Sequence, residues 1–528
     1  MSIHEKLTRM FNQGQISRRE FLAQMSAIGA SAALPSVLLN TPAYAMTPKA
    51  GGRLKIGLSG GSTTDTLDPA IFTNIMPFII SFQVRNCLIE IDQKSQLVPE
   101  LAESWEPTPD ATKWTFKLRK GVEFHNGKTM DAEDVAFSIN HHRAENSKSP
   151  IKGLLSLIKE VNTDGKHTLV IVLDEGYANM PYIMTDYRLV VVPKGTADFD
   201  KGIGTGGYIL DSLEPGVRAF AKRNPNYWKP GRAHFDEVET TGIEDTVART
   251  NALRTGNIHV MNRCDRKTSH LLGRSPGVQV IETTGTKHYT IPMRTDKAPF
   301  DNNDARLGMK YALDREQLLK AILSDHGQLG NDHPISPSNR FFAADLPQRK
   351  YDPEKGKFHL KKAGLLDHTF KLHTAEAAYS GAIDTAVLYK EHAAKAGIKI
   401  EVVREPDDGY WSEVWMKKSW CFSYWLGRPT VDWTFSTAYT ADAKWNESFW
   451  KHDQFNKLYK EARTELDETK LREMYTEMQR ICRDEGGAVV PLFANDIMAA
   501  SSKLKFEGVA SNIELDGGRL TERWWFES

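Results

Sequence analysis

Strand-like and helix-like patterns interleave along nearly the whole chain, and this restricts it to an α/β or α+β architecture. Gly52-Arg53-Leu54-Lys55-Ile56-Gly57-Leu58 alternates as a half-buried strand does, and so do Lys113–Leu118 and Thr168–Leu173. Between them, Asp131 stands as an N-cap before Ala132-Glu133-Asp134-Val135-Ala136-Phe137-Ser138-Ile139, whose apolar residues fall at helical spacing. Further helices are expected over 305–323, 385–396 and 467–483, with a strand over 398–403 between the last two. No 20–50-residue repeat and no low-complexity linker divides the chain, so its lobes should exchange segments rather than follow one another.

The first forty-five residues read differently. Ser17-Arg18-Arg19-Glu20-Phe21-Leu22 is a twin-arginine pattern, a weakly apolar Ala/Gly/Ser-rich run follows to Leu39, and Ala43-Tyr44-Ala45 is a small-residue cleavage site. Paired arginines point to the twin-arginine (Tat) translocase. The apolar run is too short and too rich in small residues for a membrane span. The expectation is a bacterial protein that folds before export, loses its signal near Ala45 and works in the periplasm.

Removing Lys6, Arg9, Arg18, Arg19, Glu5 and Glu20 from the 68 basic and 68 acidic residues leaves 64 and 66, a formal charge of −2. Nucleic acid is therefore not an expected partner, because phosphate recognition needs a concentrated basic surface. Cys87, Cys264, Cys421 and Cys482 remain after maturation. An oxidising compartment permits disulfides among them, with three possible pairings. No C-x-x-C occurs, which argues against a zinc or thioredoxin-like centre. Cys264 lies between Arg263 and Arg266, two cations that could lower its pKa.

Enzyme-like fragments fail on context. Gly57-Leu58-Ser59-Gly60-Gly61 fits G-x-S-x-G, yet 62–69 reads as loop where a nucleophile elbow must enter a helix. Gly127-Lys128-Thr129 ends like a phosphate loop, but Val122 holds the required earlier glycine position. Gly202, Gly204 and Gly206 lack dinucleotide-loop spacing. His141 and His142 are adjacent on a helix and face different ways, which suits packing better than a shared metal. No nucleophile–base–orienter set emerges; a secreted hydrolase is the remote alternative, with no catalytic residue, metal site or cofactor expected.

Four ordered blocks carry a family resemblance. Leu97-Val98-Pro99-Glu100-Leu101-Ala102-Glu103-Ser104-Trp105 leads into Trp114 through Gly127 and then Asp131–Val135. Gly204-Thr205-Gly206-Gly207-Tyr208, Arg223-Asn224-Pro225-Asn226-Tyr227-Trp228 and Ala305 through Glu316 follow in order. This looks very like the solute-binding proteins of peptide/nickel ABC importers, the dipeptide- and oligopeptide-binding family. Trp105, Trp114, Phe116, Phe124 and Phe137 read as core aromatics, His125-Asn126-Gly127 as a turn, and 204–207 as a chain crossing that needs small residues. The resemblance implies a two-lobed periplasmic-binding-protein fold with a hinge and an inserted α/β domain. Lobe one would gather 46–80, 205–290 and 500–528; the inserted domain would be 81–204, and lobe two 291–499. It also implies capture of a ligand between the lobes, delivery to a membrane permease, no covalent chemistry, and a monomer.

The resemblance also places the ligand. Trp420 through Trp433 looks like the family's cleft segment. Peptide-binding relatives carry G-D-x-x-D-P there, and an early Asp holds the peptide amino group. In this chain Arg428 follows Gly427 where that Asp would stand, and Asp432 is displaced along the loop. A cation repels an ammonium at contact distance, so Arg428 should favour a carboxylate or phosphate. Counting back from Ala394-Lys395-Ala396-Gly397-Ile398 puts Glu376, near Tyr379, where some relatives hold the carboxylate with an Arg. That register would reverse the family's charges. Trp425 and Trp433 are the aromatics expected to stack on ligand, and Thr66 is a further cleft candidate. The expected solute is a short peptide or a peptide-like charged molecule; the alternative is a non-peptide anionic or zwitterionic solute such as an opine, a sugar derivative or a metal chelate.

Overall fold

The computed structural model describes residues 48–527 apart from Thr73 and Pro429. The export signal expected over 1–45 lies outside the described residues. Six sheets form among the described residues, and four of them organise the fold. In the seven-stranded sheet the order is Val278–Thr283, Asp496–Ser501, Val260–Met261, Arg53–Leu58, Glu237–Gly242, Arg218–Arg223, Tyr208–Glu214. Arg53–Leu58 runs parallel to both its neighbours, while the outer strands are antiparallel. Leu54, Ile56 and Leu58 are fully buried, as the alternation requires. Helix Ile75–Val84 packs on this core; it is buried all round, which is why it shows no polar face.

A four-stranded antiparallel sheet orders Ala102–Pro107, Lys113–Leu118, Thr168–Leu173 and Ile158–Thr163. Helix Ala132–Arg143 covers it, opened by a reciprocal capping box in which Asp131 accepts from the Asp134 N–H and Asp134 accepts from the Asp131 N–H. Trp114, Phe116 and Phe124 are buried in this layer. A third sheet joins Gly327–Leu329, Leu492–Ala494, His288–Pro292 and Ser423–Trp425, with Ala488–Val489 also on His288–Pro292. Beside it, Thr369–Thr374 and Lys399–Arg404 pair in parallel through helix Ala382–Ala394, a βαβ unit.

The single helix expected over 305–323 is two, Asn303–Tyr311 and Arg315–Leu323. Asp314 ends the first and caps the second, its carboxylate accepting from the Gln317 N–H at 3.0 Å. The crossing at 204–207 needs its small residues: a Cβ on Gly206 would lie 2.3 Å from the Val84 carbonyl carbon. All four cysteines are free and buried. The expectation that flanking arginines lower Cys264 is corrected. Burial pushes its thiol up to about 12 against the opposing pull of Arg249.

The C-terminal segment is fastened to residues some four hundred positions earlier by a buried ion-pair network. Arg519 binds Glu100 bidentately at 2.6 and 2.7 Å. Arg523 bridges Glu90 (2.7 Å) and Asp516 (2.9 Å), and Lys229 joins Glu90 and Glu522. Burial disfavours ionised Glu90, but Lys229, Arg519 and Arg523 outweigh it and hold the carboxyl well below its ordinary range. Glu90, Glu100 and Glu522 are spaced closely enough for a metal ion, yet their oxygens already accept from these three cations. The cluster is a structural lock.

His142 is packed rather than metal-binding. Its Nδ1 accepts from Ser149 Oγ at 2.8 Å and its Nε2 donates to the Arg188 carbonyl at 2.9 Å, a fit for the neutral ring. Burial pushes it down to about 4, against about 6.5 in an unfolded chain. Between those values the unfolded state binds the extra proton, so stability from this site is complete above pH 6.5 and lost as pH falls toward 4. With His142→Gln, the slope of unfolding free energy against pH in that window should flatten by up to about 1.4 kcal/mol per unit. Urea titrations of both proteins at pH 5, 6 and 7 measure this; parallel slopes contradict it.

Candidate functional site

A cleft of about 580 Å³ opens where several of these layers meet. One wall comes from the short helix Met180–Ile183, which supplies Tyr182, and another from the turn at Ser95. Ser338 to Phe341 forms a third, Arg428, Thr430 and Val431 a fourth, and Ser511 and Asn512 close one end. Fifteen described residues line it; Arg340 and Arg428 are the charged ones, and none is acidic. The lining therefore carries two positive charges and no carboxylate, which favours an anionic ligand.

Arg428 is positioned by its neighbours in sequence. Gly427 packs so tightly on Thr286 that an added Cβ would lie 1.9 Å from its Oγ1, so only glycine fits. After the loop, Thr430 Oγ1 caps helix Val431–Ala438 by accepting from the Trp433 N–H at 3.1 Å. The Arg428 guanidinium rests 5.8 Å from the Trp433 ring. Its one hydrogen bond among the described residues is a long contact of 3.5 Å to the Leu426 carbonyl, and its buried Nε has no partner. Burial and then the repulsion of Arg188 lower its pKa, though a guanidinium stays charged at any physiological pH. The nearby acid, Asp186, is engaged by the Arg188 N–H at 2.9 Å.

The other sequence candidates lie elsewhere. Asp432 is buried behind the cleft, accepting from Tyr177 Oη at 2.7 Å, with burial raising its pKa. Trp433 packs partly into the core around the four-stranded sheet. Trp425 donates to Glu447 Oε1 at 3.0 Å. Glu447 also accepts from Trp415 (2.7 Å) and Thr290 (2.7 Å), and burial raises its carboxyl. Glu376 is exposed, accepts from the Gly381 N–H at 2.9 Å and does not line the cleft with Arg428. Tyr379 is core, stacked on Tyr289 at 3.8 Å. Thr66 donates to Asp200 at 2.8 Å and lines a separate cavity of about 190 Å³. Of the eight, the structure places Arg428 on the cleft, Gly427 and Trp433 beside it, and the other five apart from its lining.

Sequence reading did not single out Arg340, Tyr182 or Thr286. Each comes from a short loop or helix with no motif, and only the fold brings it to Arg428. One other cluster has the distances of a catalytic triad. Ser269 Oγ lies 2.9 Å from His326 Nε2, whose Nδ1 lies 2.8 Å from Glu282. Ser269 is 2% exposed and lines neither the cleft nor the cavity at Thr66, so its hydroxyl is closed to substrate. The G-x-S-x-G serine, Ser59, is likewise buried, and the next helix begins only at Ile75.

Comparison with known proteins identifies the family and the fold. Residues 96–447 match the model of the bacterial extracellular solute-binding proteins, family 5. The chain is 25% identical to di/tripeptide-binding protein 1 of Pseudomonas aeruginosa, over 87% of this chain and 92% of that protein. It is 23% identical to the glutathione-binding protein GsiB of Escherichia coli K12, over 84% and 89%. The periplasmic binding protein DppA of Helicobacter pylori, solved with the peptide STSA, has the same fold. Its TM-score is 0.71 at 22% identity, covering 91% of this chain and 99% of that one. No helix among the described residues is long and apolar enough to cross a membrane. By its match over residues 96–447 the chain belongs to the bacterial extracellular solute-binding proteins, family 5, and it has their mixed α/β binding-protein fold.

Proposed function

We propose that this protein captures a short peptide or peptide-like solute in the periplasm and delivers it to an inner-membrane permease, with a ligand carboxylate seated on Arg428. The observation that carries this reading is that Arg428 lines the cleft with its guanidinium almost unengaged and with no acidic residue in the lining. A carboxylate accepts two parallel N–H bonds from such a group. The relatives named for di/tripeptides and glutathione supply the solute class. The absence of an acidic amine anchor at 428 also favours the alternative, a non-peptide anion or zwitterion of the opine type. Calorimetric titration with a free peptide and its C-terminal amide tests the anchor. The acid should bind at least tenfold more tightly, and equal affinity would remove Arg428 from the account.

The protein acts as a monomer in this reading. Lobe one consists of 46–80, 205–290 and 500–528, with 81–204 inserted and 291–499 as lobe two; solute binding closes the lobes by hinge motion. The seven-stranded sheet joins strands from 53–58, 208–283 and 496–501, which supports grouping both ends of the chain with 205–290 but with the last boundary before Asp496 rather than at 500. Export follows the Tat route. Replacing Arg18 and Arg19 with Lys should leave the uncleaved precursor in the cytoplasm, as read by fractionation and immunoblot. Normal maturation of that variant would assign the signal to the general export route instead.

A further inference from the structure

The cleft holds a second cation that the Arg428 reading does not use. Arg340 is held between two rings, 4.9 Å from the centroid of Tyr182 and 4.4 Å from that of Phe341. Stacking of this kind fixes the plane of a guanidinium while leaving its edge N–H groups free. Among the described residues that edge donates no hydrogen bond. Its nearest carboxylate, Glu468, is 3.7 Å away and mostly exposed, a geometry of little energetic weight. The loop carrying Arg340 is pinned in place. Fully buried Gln479 donates to the Phe341 carbonyl at 2.8 Å and accepts from the Ala343 N–H at 3.0 Å, and Ser336 Oγ donates to the Gly285 carbonyl at 2.7 Å. The arginine is thus presented to the cleft by a fixed backbone.

A second observation is independent of charge. Tyr182 lines the same cleft and is 7% exposed, yet its buried hydroxyl has no hydrogen-bond partner. A phenol buried without a partner is unfavourable unless something enters the site to bond it. Tyr182 therefore offers a donor beside Arg340, as Thr286 offers a hydroxyl beside Arg428. Both guanidinium groups line the cleft, and a ligand with one acidic group can pair with only one of them.

We infer that Arg340 and Tyr182 form a second anion-binding subsite, so that the solute carries two acidic groups, one on Arg428 and the other on Arg340. This rests on the Arg428 reading above and narrows its substrate class to diacids, with carboxylate or phosphate ends. In a diacid peptide the second acid comes from a side chain; in an N-carboxyalkyl amino acid it is part of the backbone.

The test is a retention experiment on the exported protein. An equimolar mixture of tripeptides and N-carboxyalkyl amino acids is prepared with each carboxylate either free or amidated. The protein is passed through a desalting column, and retained compounds are identified by mass spectrometry. The wild type should retain diacids at least tenfold over their monoamides. Arg340→Gln should abolish that preference while still retaining monoacids, and Tyr182→Phe, which keeps the ring under Arg340, should weaken it severalfold. Arg428→Gln should lose both classes. If the wild type retains monoacids and diacids equally through Arg428, the second subsite is wrong and the proposed function stands. If it retains no acid, or if Arg428→Gln changes nothing, the proposed function fails and takes this inference with it. An Arg340→Gln protein that melts well below the wild type would show the arginine to be structural, and Tyr182→Phe then decides: an unchanged diacid preference overturns the subsite.

Discussion

Arg428→Ala is expected to weaken binding of an acidic solute by at least about thirtyfold. Truncating one partner of a desolvated, hydrogen-bonded charge pair costs about 2–5 kcal/mol, and each 1.4 kcal/mol is a factor of ten in affinity. Stability should barely change. In the free protein the guanidinium makes only a 3.5 Å contact with the Leu426 carbonyl and a distant one with the Trp433 ring, together worth less than about 1 kcal/mol. Large loss of affinity with an unmoved melting temperature separates an anchor from a scaffold residue. Calorimetry and thermal unfolding on the same preparation read both. Retained affinity contradicts the anchor, and a large fall in melting temperature contradicts its being unengaged.

Arg519→Ala should do the reverse, with a loss of about 3–5 kcal/mol of stability, because removing one partner of a buried ion pair leaves the other charge uncompensated. Arg519 is 4% exposed and holds both Glu100 oxygens, with Glu522 at 3.3 Å. Its loss leaves Glu90, Glu100 and Glu522 to Lys229 and Arg523. Adding Glu100→Gln to Arg519→Ala should restore part of the loss by removing the stranded charge, and urea unfolding of the four proteins of that cycle gives the coupling energy. A loss below about 1 kcal/mol would mean that water reaches the network and replaces the arginine. Arg523 of this lock also donates to the carbonyl of Ile91, which lines the cleft, but Arg519 itself bonds to no lining residue, so solute affinity of the folded Arg519→Ala variant should stay near the wild-type value.

Where local signals are strong the chain shows its structure in advance. Lys113–Leu118 and Thr168–Leu173 form as strands with the expected bounds, and Asp131 caps its helix, because each follows from alternation or capping within a few residues. Elsewhere local signals run out in two ways. Over 305–323 the apolar spacing runs on while the chain breaks at Asp314, an acid whose capping bond is invisible to periodicity. Arg428, expected at the ligand from the family resemblance, does line the cleft. Glu376 was assigned by counting residues, and the loop after Thr369–Thr374 turns it to solvent. Trp425 and Asp432 have the right chemistry for a ligand but already serve Glu447 and Tyr177. Arg340 and Tyr182 are 158 positions apart in sequence, and nothing local to either announces that they meet at one cleft. Local physics writes the elements, whereas the cleft is a product of how distant elements meet.

Native mass spectrometry of the protein purified from the periplasm, followed by denaturation and identification of the released small molecule, tests the central claim most directly. The account predicts one bound solute per chain, with at least one free carboxylate or phosphate, present on the wild type and missing from Arg428→Ala. A bound solute without an acidic group, or an acidic one carried equally by Arg428→Ala, would contradict it.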